Sequence, residues 1–341
     1  RQILPISCMR AEYASIPWPH AAARLNSSFS RLLKHFHTHN YKGRIYRLVF
    51  LVYEENTIGI MLMARFTLQE AFHRWLLLAM LLLNILLLGV FALLLNSVYT
   101  SEVARAASQA DPQLTLLEIS LSISILSAWA VYLLSGALTI VLTVGMTSGE
   151  IEAGTFAMTV SKSLRRSDII FGKWLGYALI LCIYTAMLFF TFQGIIFLQT
   201  GYWPQQALPA LGMLELSTLV LLGLTTLGSA CFPTLVNGAI AIMLFIGAPL
   251  ASFIRLITSH PGQTAQNITT TINLIIPTDA LWHGASFYLI PPFIFQLGQI
   301  QELKTPFTSI QPIAPGILIW AVLYCIILPI IGALRFQRRD L

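Results

Sequence analysis

The chain has 341 residues, of which 56% are hydrophobic and only 10% charged, with a mean hydropathy of +0.75. A soluble domain carries about 25% charged residues, so water is excluded as the solvent for most of this surface, and the long apolar blocks predict a helix bundle in lipid. The net charge of +6 does not point to nucleic acid, because the basic residues flank hydrophobic blocks instead of lining a groove-reading element.

Residues 1–60 mix Pro, Ser, His and Arg with scattered aromatics, without a sustained period and without the layout of a signal peptide. They are expected to be a poorly structured extension or the result of a start site placed too far upstream, with the membrane domain occupying residues 61–341. Just before the first apolar block, Met61, Ala64, Leu68, Ala71, Phe72 and Trp75 recur at helical spacing opposite Arg65, Gln69, Glu70, His73 and Arg74. This predicts an N-terminal amphipathic helix lying on the cytoplasmic leaflet, in contact with membrane lipid.

About 20 apolar residues at 1.5 Å rise cover the ~30 Å hydrocarbon core. That window predicts six transmembrane helices, at Trp75 to Leu95, Ile119 to Val144, Trp174 to Leu198, Leu211 to Cys231, Thr234 to Phe253 and Pro315 to Leu334. The expected fold class is an all-α polytopic membrane protein. Of the 20 Lys and Arg residues, 17 fall on one side of these spans, and only Arg105, Arg255 and Lys304 fall on the other. Cytoplasmic segments retain the basic excess, so both termini are expected in the cytoplasm of a multi-pass cell membrane protein, with a bacterial plasma membrane as the setting.

The segment between the second and third spans reads Gly145-Met146-Thr147-Ser148-Gly149-Glu150-Ile151-Glu152-Ala153-Gly154-Thr155, then Ser161 to Asp168 with Arg165 and Arg166 paired, then Gly172-Lys173-Trp174. From the residues alone, Glu150 and Glu152 have a plain use near the N-terminus of a short helix, while the basic residues hold the loop inside. A second use is docking, with Ile151, Phe156, Met158 and Val160 filling a groove on a partner and Glu150, Glu152, Arg165 and Arg166 fixing register by charge. The stretch resembles the first cytoplasmic loop of ABC-2 type transporter permeases, in which an acidic pair and Gly-Thr or Gly-Ser precede a basic pair and a Gly-Lys that opens the third span. The amphipathic helix, the six spans, the run Ile276 to Trp282 and the basic tail from Arg335 agree with it over residues 61–341.

The resemblance favours docking and assigns Glu150, Glu152, Gly154, Thr155, Arg165, Arg166, Gly172 and Lys173 to a surface for an ABC ATPase subunit. It also implies a second permease chain, as a homo- or heterodimer. No Gly-x-x-x-x-Gly-Lys-[Ser/Thr] phosphate loop occurs, so the chain is expected to bind no cofactor itself and to be no enzyme, with ATP and Mg on the partner subunit.

Glu215, a turn or so inside the fourth span, is a possible intramembrane polar site, although its closeness to the interface allows the carboxyl to reach water. Asn84 and Gln193 are expected to hydrogen-bond across the bundle. Residues 254–314 are too long for a mere connection and carry Pro277, Pro291 and Pro292. There Thr278 or Asp279 is expected to cap a short helix that lays Trp282 and Phe287 at the outer headgroup level. Four cysteines without metal-site spacing predict neither a disulfide framework nor a metal centre, and the run His35-x-His37-x-His39 lacks flanking ligands. An intramembrane enzyme would need facing nucleophiles or carboxylates, which the spans do not supply. A non-transporting membrane anchor would share the topology.

Overall fold

The computed structural model describes residues 60–61, 63–69, 75–106, 112–152, 154, 166–257, 270–295 and 311–337. All of them belong to the compact unit Ile58–Leu341, and every regular element among them is helical. The main helices are α1 (Trp75–Ala106), α2 (Pro112–Thr143), α3 (Ser148–Glu152), α4 (Arg166–Thr200), α5 (Ala207–Cys231), α6 (Thr234–Ile257), α7 (Thr278–Leu289) and α8 (Pro315–Gln337). Shorter helical stretches occupy residues 60–69, residue 62 apart, and 270–275.

Proline and glycine punctuate this pattern. Pro112 and Pro315 open α2 and α8, where the first turn has no intrahelical use for a proline N–H. Gly201 ends α4 with φ +73 while its N–H bonds to Phe197 O, the left-handed cap that glycine takes without a Cβ penalty. Phe232 is extended (φ −120, ψ 158), as required of the residue before Pro233, and this break separates α5 from α6.

Among the described residues, five helices are long and apolar enough to cross a membrane, within α1, α2, α4, α5 and α8. α6 is continuous over 24 residues, but its described apolar stretch, Thr234–Leu250, is shorter than these. Several helices outrun the expected spans: α1 continues to Ala106 instead of ending at Leu95, and α4 begins at Arg166 instead of Trp174. Hydropathy marks where lipid begins, whereas the backbone stays helical until a glycine, a proline or a lost packing partner stops it.

α5 is the central helix and packs against α2, α4, α6, α7 and α8. α1 is peripheral, and most of its leucines are exposed to what would be lipid, while Asn84 turns inward and donates to Tyr184 Oη. Hydroxyls and amides stitch the interior. Thr143 Oγ1 and Thr225 Oγ1 lie 2.7 Å apart, and Ser124 Oγ donates to Gln193 Oε1 at 2.9 Å, which is the commoner role of such groups in lipid.

The 60–69 helix packs on the protein through Met63, Ala64 and Thr67, while Met61 and Phe66 are exposed, and one expectation, for α7, is corrected. The register is set by close backbone approach: a Cβ on Gly172 would meet Met63 Cβ at 2.5 Å, and one on Gly176 would meet Thr67 Cβ at 2.9 Å. In α7 the N-cap position is Pro277 and not Thr278 or Asp279, which are the first two residues of the helix, and Trp282 does not lie at a surface. Thr278, Asp279 and Trp282 are buried, and the Trp282 ring packs 6.0 Å from that of Tyr132 in α2.

Candidate docking loop and its anchors

The chain leaves α2 through a turn at residues 144–147, forms the single turn of α3, and reaches Gly154, whose φ of +68 ends that turn. These elements lie at one end of the bundle, together with the start of α4 and the α5–α6 turn. Met146, Thr147 and Ser148 are buried there, while Glu152 and Gly154 are exposed.

Three side chains hold the loop. Lys173, buried in the second turn of α4, donates from Nζ to Met146 O at 2.9 Å. That carbonyl lies just past the C-terminus of α2, where unsatisfied carbonyls and the negative end of the helix dipole favour a cation. Thr234, the first residue of α6, pairs its hydroxyl with Ser148 Oγ at 2.9 Å, and its N–H donates to Glu152 Oε1 at 2.9 Å. The carboxylate of Glu152 thus satisfies one of the orphan amides that begin α6 and sits at the positive end of its dipole.

Asn237, one turn into α6 and buried, donates from Nδ2 to Val144 O at 2.8 Å and to Thr225 O at 3.0 Å. Its Oδ1 occupies the space a side chain would take at Gly228 of α5. The segment that follows α2 is therefore tied to α4 through Lys173, to α6 through Thr234, and to both α5 and α6 through Asn237.

Of the residues singled out in the sequence, Glu150, Glu152 and Gly154 fall on α3 and its end, Arg166 opens α4, and Gly172 and Lys173 lie on its second turn. Gly172 faces the 60–69 helix, whereas Lys173 faces the loop. Thr155 and Arg165 lie outside the described residues, as do Phe156, Met158 and Val160. Ile151 is half-buried against the cluster of Leu138, Leu142, Met146 and Phe336, so part of its apolar surface is already used within the chain. Glu215 is half-buried on α5 within electrostatic reach of Cys182 of α4. It lies far along α5 from the loop and takes no part in it.

Ser148, Thr234 and Asn237 were missed in the sequence. A polar pair spaced by three residues directly after Phe232-Pro233 was the available signal, since a helix that begins in a packed region needs partners for its first amides.

Long apolar helices around a polar-stitched interior, with one short helix clamped at the bundle's end, define a multi-pass membrane protein. The family model described as ABC-2 family transporter protein matches residues 68–341, and the chain belongs to that family. It is thus a transmembrane permease of the ABC transporter class. A search of curated proteins returns no match.

Proposed function

We propose that this chain is the permease subunit of an ABC transporter in which ATP, with Mg, is bound and hydrolysed by a separate ATPase subunit that docks on the loop spanning residues 145–173. The observation that carries this reading is the two-sidedness of the loop. Glu152 of α3 and Gly154 just past it are exposed, while α3 and the turn before it are bonded to α4, α5 and α6 by Lys173, Thr234 and Asn237. A partner that pushes on α3 acts on three helices at once, because hydrogen-bonded, close-packed elements move together.

In this reading α6 completes a set of six spans, the loop end faces the cytoplasm with both termini, and two permease chains pair around a central path. Movement of the loop on nucleotide binding then rocks the bundles between alternate openings. The apolar composition favours lipids, amphiphilic drugs or peptides as cargo.

The experiment is co-purification in detergent with an ATPase encoded beside the chain. Charge reversal at Glu152 alone would confuse docking with the loss of the α6 amide partner, so two variants are compared. Glu150→Arg is expected to lose the ATPase while the permease stays folded. Glu152→Gln, which keeps an acceptor for Thr234 N–H, is expected to weaken recovery without unfolding. Full recovery with both variants, or no ATPase recovered with the unaltered chain, would remove the basis for docking and favour a membrane anchor.

A further inference from the structure

Residues 270–295 form a helical hairpin that dips into the bundle. Its first arm, 270–275, is bonded to α8 at two successive depths: Trp320 Nε1 donates to Leu274 O at 2.9 Å and Tyr324 Oη to Ile275 O at 2.7 Å. The chain reverses at Ile276–Pro277 and returns as α7, whose last residue Leu289 accepts a bond from Tyr202 Oη at 2.8 Å, beside the α4–α5 turn. Twelve residues at 1.5 Å rise place the start of α7 about 18 Å from that end. The tip of the hairpin therefore lies deep in the bundle, against Tyr132 of α2.

That tip is polar where its surroundings are aromatic. Thr278 and Asp279 are 0% and 2% exposed, and Tyr132 on the facing helix is 2% exposed. The Tyr132 phenol lies beside the Thr278 hydroxyl and within electrostatic reach of the Asp279 carboxylate. Tyr132 Oη and Thr278 Oγ1 nevertheless have no partner in proper hydrogen-bonding geometry. The rings of Phe245 and Trp282 close the sides, 5.0 and 6.0 Å from that of Tyr132. Gly136 makes room for Phe245, since any side chain there would overlap its ring.

Buried hydroxyls without partners are rare in native proteins, and two of them beside a buried carboxylate are a place where a bound ion or water completes the hydrogen bonding. The groups that Thr278, Asp279 and Tyr132 offer to such a species are oxygens: one carboxylate and two hydroxyls, on a helix break and on a facing helix. Divalent Ca²⁺ and Mg²⁺ draw on more oxygens, often several carboxylates, or keep bulky water shells. A single carboxylate among neutral oxygens suits a monovalent cation, and interrupted helices at depth in a membrane bundle are where such ions are held. The dipole of α7 balances part of the Asp279 charge, but it leaves the two hydroxyls unserved.

We propose that Asp279, Thr278 and Tyr132 form a site for a small monovalent cation that locks the hairpin tip to α2. The cation joins two elements, α7 and α2, whose contact at this point also includes the packing of the Tyr132 and Trp282 rings, so its binding stabilises the inserted hairpin. The proposal is independent of whether an ATPase docks at the opposite end of the bundle.

The test is thermal unfolding of the full chain in detergent, followed by tryptophan fluorescence, in choline chloride titrated with NaCl, KCl or NH₄Cl at constant ionic strength and pH. The expected result is a saturable rise in the midpoint with at least one of these cations. It should be absent in Asp279→Asn and displaced to about tenfold higher concentration in Thr278→Val and Tyr132→Phe. The salt that acts identifies the ion as an alkali metal or ammonium. Equal effects of all salts and choline, a rise that persists in Asp279→Asn, or a midpoint that follows pH and no cation would each overturn the proposal. Should Asp279→Asn yield no folded protein, Thr278→Val decides: an unchanged cation response in that variant overturns it.

Discussion

Asn237 offers the sharpest test of how the loop is held. Asn237→Ala removes both bonds donated by Nδ2, to Val144 O at 2.8 Å and Thr225 O at 3.0 Å. Interhelical side-chain hydrogen bonds in membrane bundles average about 0.6 kcal/mol and reach ~1.7, so the pair contributes roughly 1–3 kcal/mol. Asn237→Asp conserves the volume but, when ionised, offers no donor and points a carboxylate at two carbonyl oxygens. It should therefore destabilise more than alanine does. A Cβ at Gly228 would overlap Asn237 Oδ1, so Gly228→Ala should be costly in the unaltered chain and nearly neutral on top of Asn237→Ala. Equilibrium unfolding in mixed detergent micelles, read by tryptophan fluorescence, measures the parent and all four variants. An Asn237→Asp variant as stable as the parent, or strictly additive costs for Asn237→Ala and Gly228→Ala, would refute the clamp.

Further outcomes follow from the same packing. Gly172→Ala and Gly176→Ala each meet backbone or Cβ atoms of the 60–69 helix within 3.0 Å and should cost about 1–3 kcal/mol, whereas Gly194→Ala and Gly212→Ala, with nothing within 4 Å, should be neutral or stabilising by up to ~1 kcal/mol in the same assay. Thr225→Val removes the 2.7 Å contact with Thr143 and should destabilise by about 0.6–1.5 kcal/mol. Burial raises the Tyr202 phenol well above its ordinary value of 10.0. The native state thus holds the proton after the unfolded chain has lost it, so this contribution is complete below pH 10 and is lost as pH climbs above it. Tyr202→Phe should lose about 1 kcal/mol at neutral pH, with the bond to Leu289 O, and should show a shallower alkaline decline in a pH series of unfolding curves.

Much of the fold was legible because lipid imposes a simple code: long apolar runs become helices, and Gly201 and Pro233 end them where the backbone requires it. The helix ends were less legible. Asn96 to Ala106 is polar enough to leave the hydrocarbon yet contains neither glycine nor proline to stop the helix. The depth of α7 was not legible either, since Thr278 and Asp279 resemble surface caps in sequence and only their packing against Tyr132 reveals burial. In the loop, Lys173 and Glu152 stood out as charges near helix ends, but their partners, Met146 O and Thr234 N–H, are backbone groups and leave no mark on composition. Thr234 and Asn237 are ordinary polar residues whose importance comes from what lies across from them.

The central claim is that a separate ATPase contacts α3, and site-specific photocrosslinking in native membranes tests it most directly. A photoreactive amino acid is placed at Glu150 in one variant and, in another, at Leu208, which is 70% exposed near the start of α5 at the opposite end of the bundle. The account predicts a crosslink to the co-encoded ATPase from Glu150 and none from Leu208. No adduct from Glu150 in membranes that contain the ATPase, or equal adducts from both positions, would contradict it.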